Sequence, residues 1–143
     1  MVNTKLTRNA SGYLDLTAYQ AIRNADRDIA KATLGKYPRT YICSPYRGDI
    51  WRNTANAVRY ARFALEQEKF PIAPHLYLPR FMDDDSVAER KLALSFGIWL
   101  LSGCREVWVF GSEISGGMAA EIDEAKRRRI KVRYFNEECR EIA

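Results

Sequence analysis

Past residue 38 the chain alternates short apolar runs with longer segments whose apolar residues recur at helical spacing. R-T-Y-I-C-S, 39–44, reads as a first strand stopped by Pro45. Asp49 is an N-cap residue, and the helix after it carries Ile50, Ala57, Val58, Ala61 and Leu65 as an expected inner stripe. F-P-I-A-P-H, 70–75, reads as a short strand at a sheet edge, because prolines interrupt it. A loop over 76–85 ends in Asp83, Asp84 and Asp85, and Ser86 with Glu89 fits a capping box for a helix to about Leu101. E-V-W-V-F, 106–110, has no polar alternation and reads as a strand buried on both faces. A helix over 115–128 and a last strand over 131–135 follow.

Strand and helix in alternation predict βαβ units. The expected fold is α/β: a doubly wound, Rossmann-like parallel sheet of four to five strands with helices on both faces. The organisation expected is a polar arm and charged helix over 1–38 and an α/β domain over 39–143, one compact domain overall. Ligands of such sheets bind at the carboxyl ends of the strands, where strand order reverses.

Two segments lie at that edge: Y-I-C-S-P-Y-R-G-D and F-G-S-E-I-S-G-G-M-A-A-E. Each joins a strand to a helix N-terminus and offers backbone N–H groups, which together suit an anion. Arg47 adds a fork of donors matched to phosphate. Gly48, Gly116 and Gly117 also fit plain turns. Met118, Ile122 and Ala125 mark the inner stripe of the helix from 115, and Glu121 falls on it. A glutamate there either satisfies backbone N–H groups or an arginine, or serves as a nucleophile or base; a carboxylate nucleophile suits glycosidic chemistry, whose transition state resembles an oxocarbenium ion. Tyr41 either packs in the core or orients Glu121. His75, at a strand end, has a structural and a site reading.

Composition narrows the field. A net charge of +5 suits an anionic ligand but does not argue for nucleic acid. Three cysteines (Cys43, Cys104, Cys139) without zinc spacing and a single histidine argue against a disulfide framework and a metal site, so no metal or cofactor is expected. The N-terminal residues carry no apolar core like that of a secretory signal, and the run L-A-L-S-F-G-I-W-L-L is too short to span a bilayer; a soluble cytoplasmic protein is expected, with no membrane partner.

At P-I-A-P-H-L-Y-L-P-R-F, E-V-W-V-F-G and S-G-G-M-A-A-E-I the chain resembles the nucleoside 2-deoxyribosyltransferase superfamily, which includes nucleoside 5′-monophosphate N-glycosidases, and within it a bacterial and phage subgroup. The resemblance runs over 39–135. It implies that Glu121 attacks the anomeric carbon and that Tyr41 supports it. Ser115 stands where members acting on free nucleosides carry Asp, which implies a 5′-monophosphate substrate: a carboxylate would repel the phosphate and a hydroxyl can donate to it. Ser44, Arg47, Gly48, Asp49, Asn53, His75, Ser115, Gly117 and Met118 are the expected substrate contacts. The resemblance departs in one place. Where the superfamily has an aspartate that protonates the base, this chain has S-F-G-I-W-L-L with Ser95 and Gly97, leaving Asp83, Asp84, Asp85 or Glu89 to stand in. It also implies a homo-oligomer, to which Trp51, Tyr60 and Phe63 would contribute if they do not pack on the sheet. The expected function is N-glycosidic cleavage or transfer on a nucleotide; the alternative is a non-catalytic nucleotide-binding or sensing module on the same fold.

Overall fold

The computed structural model describes residues 16–142; the expected arm over 1–16 lies outside them except for Leu16, which begins a helix. Two compact units are present, Met1–Lys36 and Tyr37–Ala143. The first contributes one helix, α1 (Leu16–Gly35). The second holds β1 (Arg39–Cys43), α2 (Ile50–Glu66), β2 (Phe70–Ile72), α3 (Val87–Ser102), β3 (Glu106–Phe110), α4 (Gly116–Arg127), β4 (Lys131–Phe135) and β5 (Glu141–Ile142). The sheet order is β2-β1-β3-β4-β5, parallel except for β5. The chain is therefore an α/β protein with a mostly parallel five-stranded sheet.

Alternation along the central strands divides the core between two faces. Tyr41, Cys43, Val107 and Val109 point to one side, against Leu101 of α3 and Met118, Ile122 and Ala125 of α4. Ile42, Trp108, Phe110 and Phe135 point to the other, against Tyr60 and Ala64 of α2. Because both sides are covered, V-W-V-F needs no polar position. The Tyr60 and Phe110 rings stack with centroids 4.2 Å apart.

Several expectations need correction. On α2 the covered residues are Ala57, Tyr60 and Ala64, while Ile50, Val58 and Leu65 are exposed. The sheet surface is aromatic, so the tyrosine and Phe63 seat there better than the smaller aliphatics, and only Trp51 of the three aromatics stands in solvent, at 88% exposure. The strand over 70–75 ends at Ile72, because Pro74 opens a 3-10 turn, and a second such turn covers Leu78–Arg80. The capping box is half made: Ser86 Oγ accepts from the Glu89 N–H at 3.3 Å, but the Glu89 carboxylate accepts from the Asp83 N–H at 3.0 Å. The tail adds β5, too short to show a period in sequence and tied to β4 by Arg133 and Glu141, whose nearest atoms are 2.7 Å apart. α3 is apolar on its outward side as well as its inward one: Gly97 and Leu101 are buried, and Leu92, Phe96 and Trp99 are exposed.

The correction on α2 is testable. Tyr60→Ala should cost about 3–5 kcal/mol of unfolding free energy, and Trp51→Ala should change it by less than about 0.5 kcal/mol, both read from urea denaturation midpoints.

Candidate functional site

β1 runs between β2 and β3, and the connections from β1 and β3 leave toward opposite faces of the sheet. The carboxyl ends of β1 and β3 therefore border a crevice. A cavity of about 510 Å³ opens there on the α3 and α4 side. That volume suits a small ligand.

The floor is built from β1 and α4. Tyr41 is buried, and its hydroxyl donates to Glu121 Oε1 at 2.8 Å. Cys43, two residues on and so on the same side of the strand, donates to the Met118 carbonyl oxygen at 3.9 Å, and its thiol lies beside the same carboxylate. Burial pushes the Glu121 carboxyl up, and the Tyr41 hydroxyl and then the Cys43 thiol oppose the rise by favouring the ionised form. Burial and then the neighbouring carboxylate hold the Tyr41 phenol and the Cys43 thiol well above their ordinary values, so both stay protonated as donors.

α3 reaches this pair through Gly97. A Cβ there would stand 3.0 Å from the Tyr41 hydroxyl and 3.6 Å from Glu121 Oε1. Glycine is the residue that lets the helix lie against the tyrosine and carboxylate. Ser95 is turned away, its hydroxyl donating to the Lys91 carbonyl oxygen at 3.1 Å.

The anion-suited side comes from α4 and the loop after β1. Ser115 caps α4, its Oγ accepting from the Met118 N–H at 3.2 Å, which leaves its O–H free to donate. The first-turn N–H groups of a helix have no partner within the helix and favour an anion. Arg47 lines the cavity with Nε 2.9 Å from Asp84 Oδ2. Arg90 and Lys91 add positive charge from α3. Pro74, Leu78, Pro79, Ala93 and Leu94 make an apolar wall of the same cavity. Ser44 Oγ lies 3.0 Å from His75 Nε2. Burial lowers the His75 pKa to about 4, so the ring is neutral at pH 7.

Glu121, Tyr41, Ser44, Arg47, His75, Ser115, Gly117 and Met118 thus border one cavity. Gly48, Asp49 and Asn53 border a different one, of about 350 Å³, which Arg47 shares. There Asp49 caps α2, and Asn53 Nδ2 donates to the Tyr46 and Arg47 carbonyl oxygens, each at 3.0 Å, fixing the loop. Of the four acidic residues offered for base protonation only Asp84 reaches the main cavity. Sequence reasoning missed Cys43, Tyr46, Arg90, Lys91 and the apolar wall. The i, i+2 spacing of Tyr41 and Cys43 carried the first, and Arg90, Ala93 and Gly97 share one helical face. Among the described residues no cluster of three or more His, Cys, Asp and Glu is arranged to hold a metal.

A half-buried carboxylate thus shares a cavity with cations and apolar side chains at a strand-order reversal of an α/β domain. The family model described as "Domain of unknown function (DUF7768)" matches residues 38–135, and the chain belongs to that family. No curated protein matches it. Two solved structures share the fold. A 2-deoxyribosyltransferase from the psychrotolerant bacterium Bacillus psychrosaccharolyticus superposes with a TM-score of 0.54 at 14% identity, over 68% of this chain and 72% of that one. A 2-desoxiribosyltransferase from Leishmania mexicana gives 0.52 at 15% identity, over 69% of this chain and 64% of that one. Among the described residues no helix is long and apolar enough to cross a membrane.

The half-buried imidazole has a stability consequence. Its native pKa lies below the ordinary value of 6.5, so the unfolded chain takes up the proton first as pH falls. Stability from this group is present above pH 6.5 and is lost progressively toward about pH 4. His75→Gln should flatten the fall in melting temperature across that window while leaving the slope above it unchanged, measured by thermal denaturation in a pH series.

Proposed function

We propose that this chain breaks or transfers the N-glycosidic bond of a nucleoside 5′-monophosphate. The observation that carries the reading is the Tyr41–Glu121 hydrogen bond of 2.8 Å on the floor of a cavity that also holds Arg47 and the start of α4. The fold shared with two 2-deoxyribosyltransferases supports glycosyl transfer as the reaction class.

In this mechanism a Glu121 oxygen attacks C1′ and forms a glycosyl ester. The C1′–N bond breaks, and its electron pair leaves with the base. Water, or a second base, then attacks C1′ and returns the carboxylate. Tyr41 and Cys43 orient Glu121 and favour its ionised form against the effect of burial. Arg47, the Ser115 hydroxyl and the first-turn N–H groups near Gly117 receive the 5′-phosphate. The apolar wall of Leu78 and Leu94 takes the base.

The test is free-base release from a panel of nucleotides, followed by chromatography. Wild type is expected to release base. Glu121→Ala should reduce release by at least about 10³-fold, since it deletes the nucleophile. No release by wild type, with nucleotides nonetheless raising the melting temperature, would favour the binding-only alternative. Tyr41→Phe removes one of the donors that oppose the rise in the Glu121 pKa. Its acid limb in the pH–rate profile should move to higher pH relative to wild type, because the unsupported carboxylate ionises later.

A further inference from the structure

A neutral purine or pyrimidine leaves as an anion unless an acid protonates it, and such an acid contributes about 10²–10⁴-fold. Among the described residues the cavity is poorly supplied with one. Tyr41 spends its proton on Glu121. His75 is neutral near pH 7, with a pKa of about 4. Asp84 accepts from Arg47 at 2.9 Å. Gly97, facing the nucleophile from α3, has no side chain, and Ser95 bonds its own helix. Arg47, Arg90 and Lys91 are cations, suited to phosphate rather than to handing a proton to a ring nitrogen. Against this, the cavity offers much to a positive ring: the Glu121 carboxylate below it, the Tyr46 ring on its border and an apolar wall.

We propose that the leaving group of this site is a positively charged ring, so that its substrate is a pyridinium nucleoside 5′-monophosphate. The inference rests on the N-glycosidic reading above and adds the class of base to it. Glu121 forms the bond to C1′ and the C1′–N⁺ bond breaks. The electron pair neutralises the ring, which departs without needing a proton. Water then attacks C1′, frees Glu121 and gives up one proton to solvent. Hydrolysis of a pyridinium nucleotide therefore releases one proton per turnover, and hydrolysis of a neutral-base nucleotide releases none, because that base carries the proton away.

The experiment uses the full chain with nicotinamide mononucleotide and, separately, AMP, dAMP, dGMP, dCMP and dTMP. Free base is measured by chromatography and proton release by pH-stat, with rates expressed relative to the uncatalysed reaction of each substrate. The expected result is an enhancement for nicotinamide mononucleotide at least about 100-fold above that for any neutral-base nucleotide. It should be lost in Glu121→Gln, accompanied by one proton per turnover, and flat from neutral to alkaline pH. N7-methyl-GMP, a purine with the same positive charge, should also be cleaved. Equal or greater enhancement on a neutral base overturns the proposal and leaves the N-glycosidic reading standing. Absence of Glu121-dependent release from every nucleotide overturns both.

Discussion

A carboxylate placed between a sheet and a helix costs several kcal/mol unless donors meet it there. Glu121 is met by the Tyr41 hydroxyl at 2.8 Å and by the Cys43 thiol, both projecting from one face of β1. This arrangement constrains the rest of the domain. β1 must lie in the sheet interior, so that the tyrosine is buried. α4 must start at Ser115, so that Glu121 falls in its second turn and over the strand. α3 comes closest at Gly97, where a Cβ would press to 3.0 Å from the tyrosine oxygen. The cavity is the space that remains when three elements converge on one acid and none of them fills it.

The layered fold was legible because its signals are local. V-W-V-F announces a strand covered on both sides, and Asp49 and Ser86 each mark the residue before a helix. Glu121 stood out for the same reason, as a charge on the stripe of Met118, Ile122 and Ala125. Errors arose where packing partners decide. Val58 and Leu65 fit a helical period, yet the aromatic sheet surface selected Tyr60 instead. Glu89 had the spacing of a capping box, but the loop N–H of Asp83 captured its carboxylate. Gly48, Asp49 and Asn53 follow β1 directly, and nothing in their order reveals that the chain has already turned onto the other side of the sheet. Asp84 could be located only by folding, since its partner Arg47 is distant in sequence.

The two cavities at the strand ends differ in their means of discrimination. The larger has one half-buried acid, an apolar wall and several cations, an uneven distribution that can orient a ligand with a charged end and a flat end. The smaller is bordered by Asp49, Glu113, Glu137, Arg52 and Arg47, with acids and bases intermixed and Arg52 already close to Glu137 at 3.5 Å. Its polar groups are largely spent on capping α2 and fixing the loop. The separation explains how one loop can supply both a rigid turn and an adjustable side chain.

Arg47 is that adjustable side chain. Its ion pair with Asp84 is partly open to water, and such pairs are worth about 0–1 kcal/mol. The guanidinium is thus held by an internal placeholder that an incoming anion can replace at small cost. Asp84 holds the fork at the cavity lining and offsets its charge. The segment between the second 3-10 turn and α3 keeps its own ties through such an exchange, because Asp83 accepts from the Asp85 and Ser86 N–H groups and gives its N–H to Glu89.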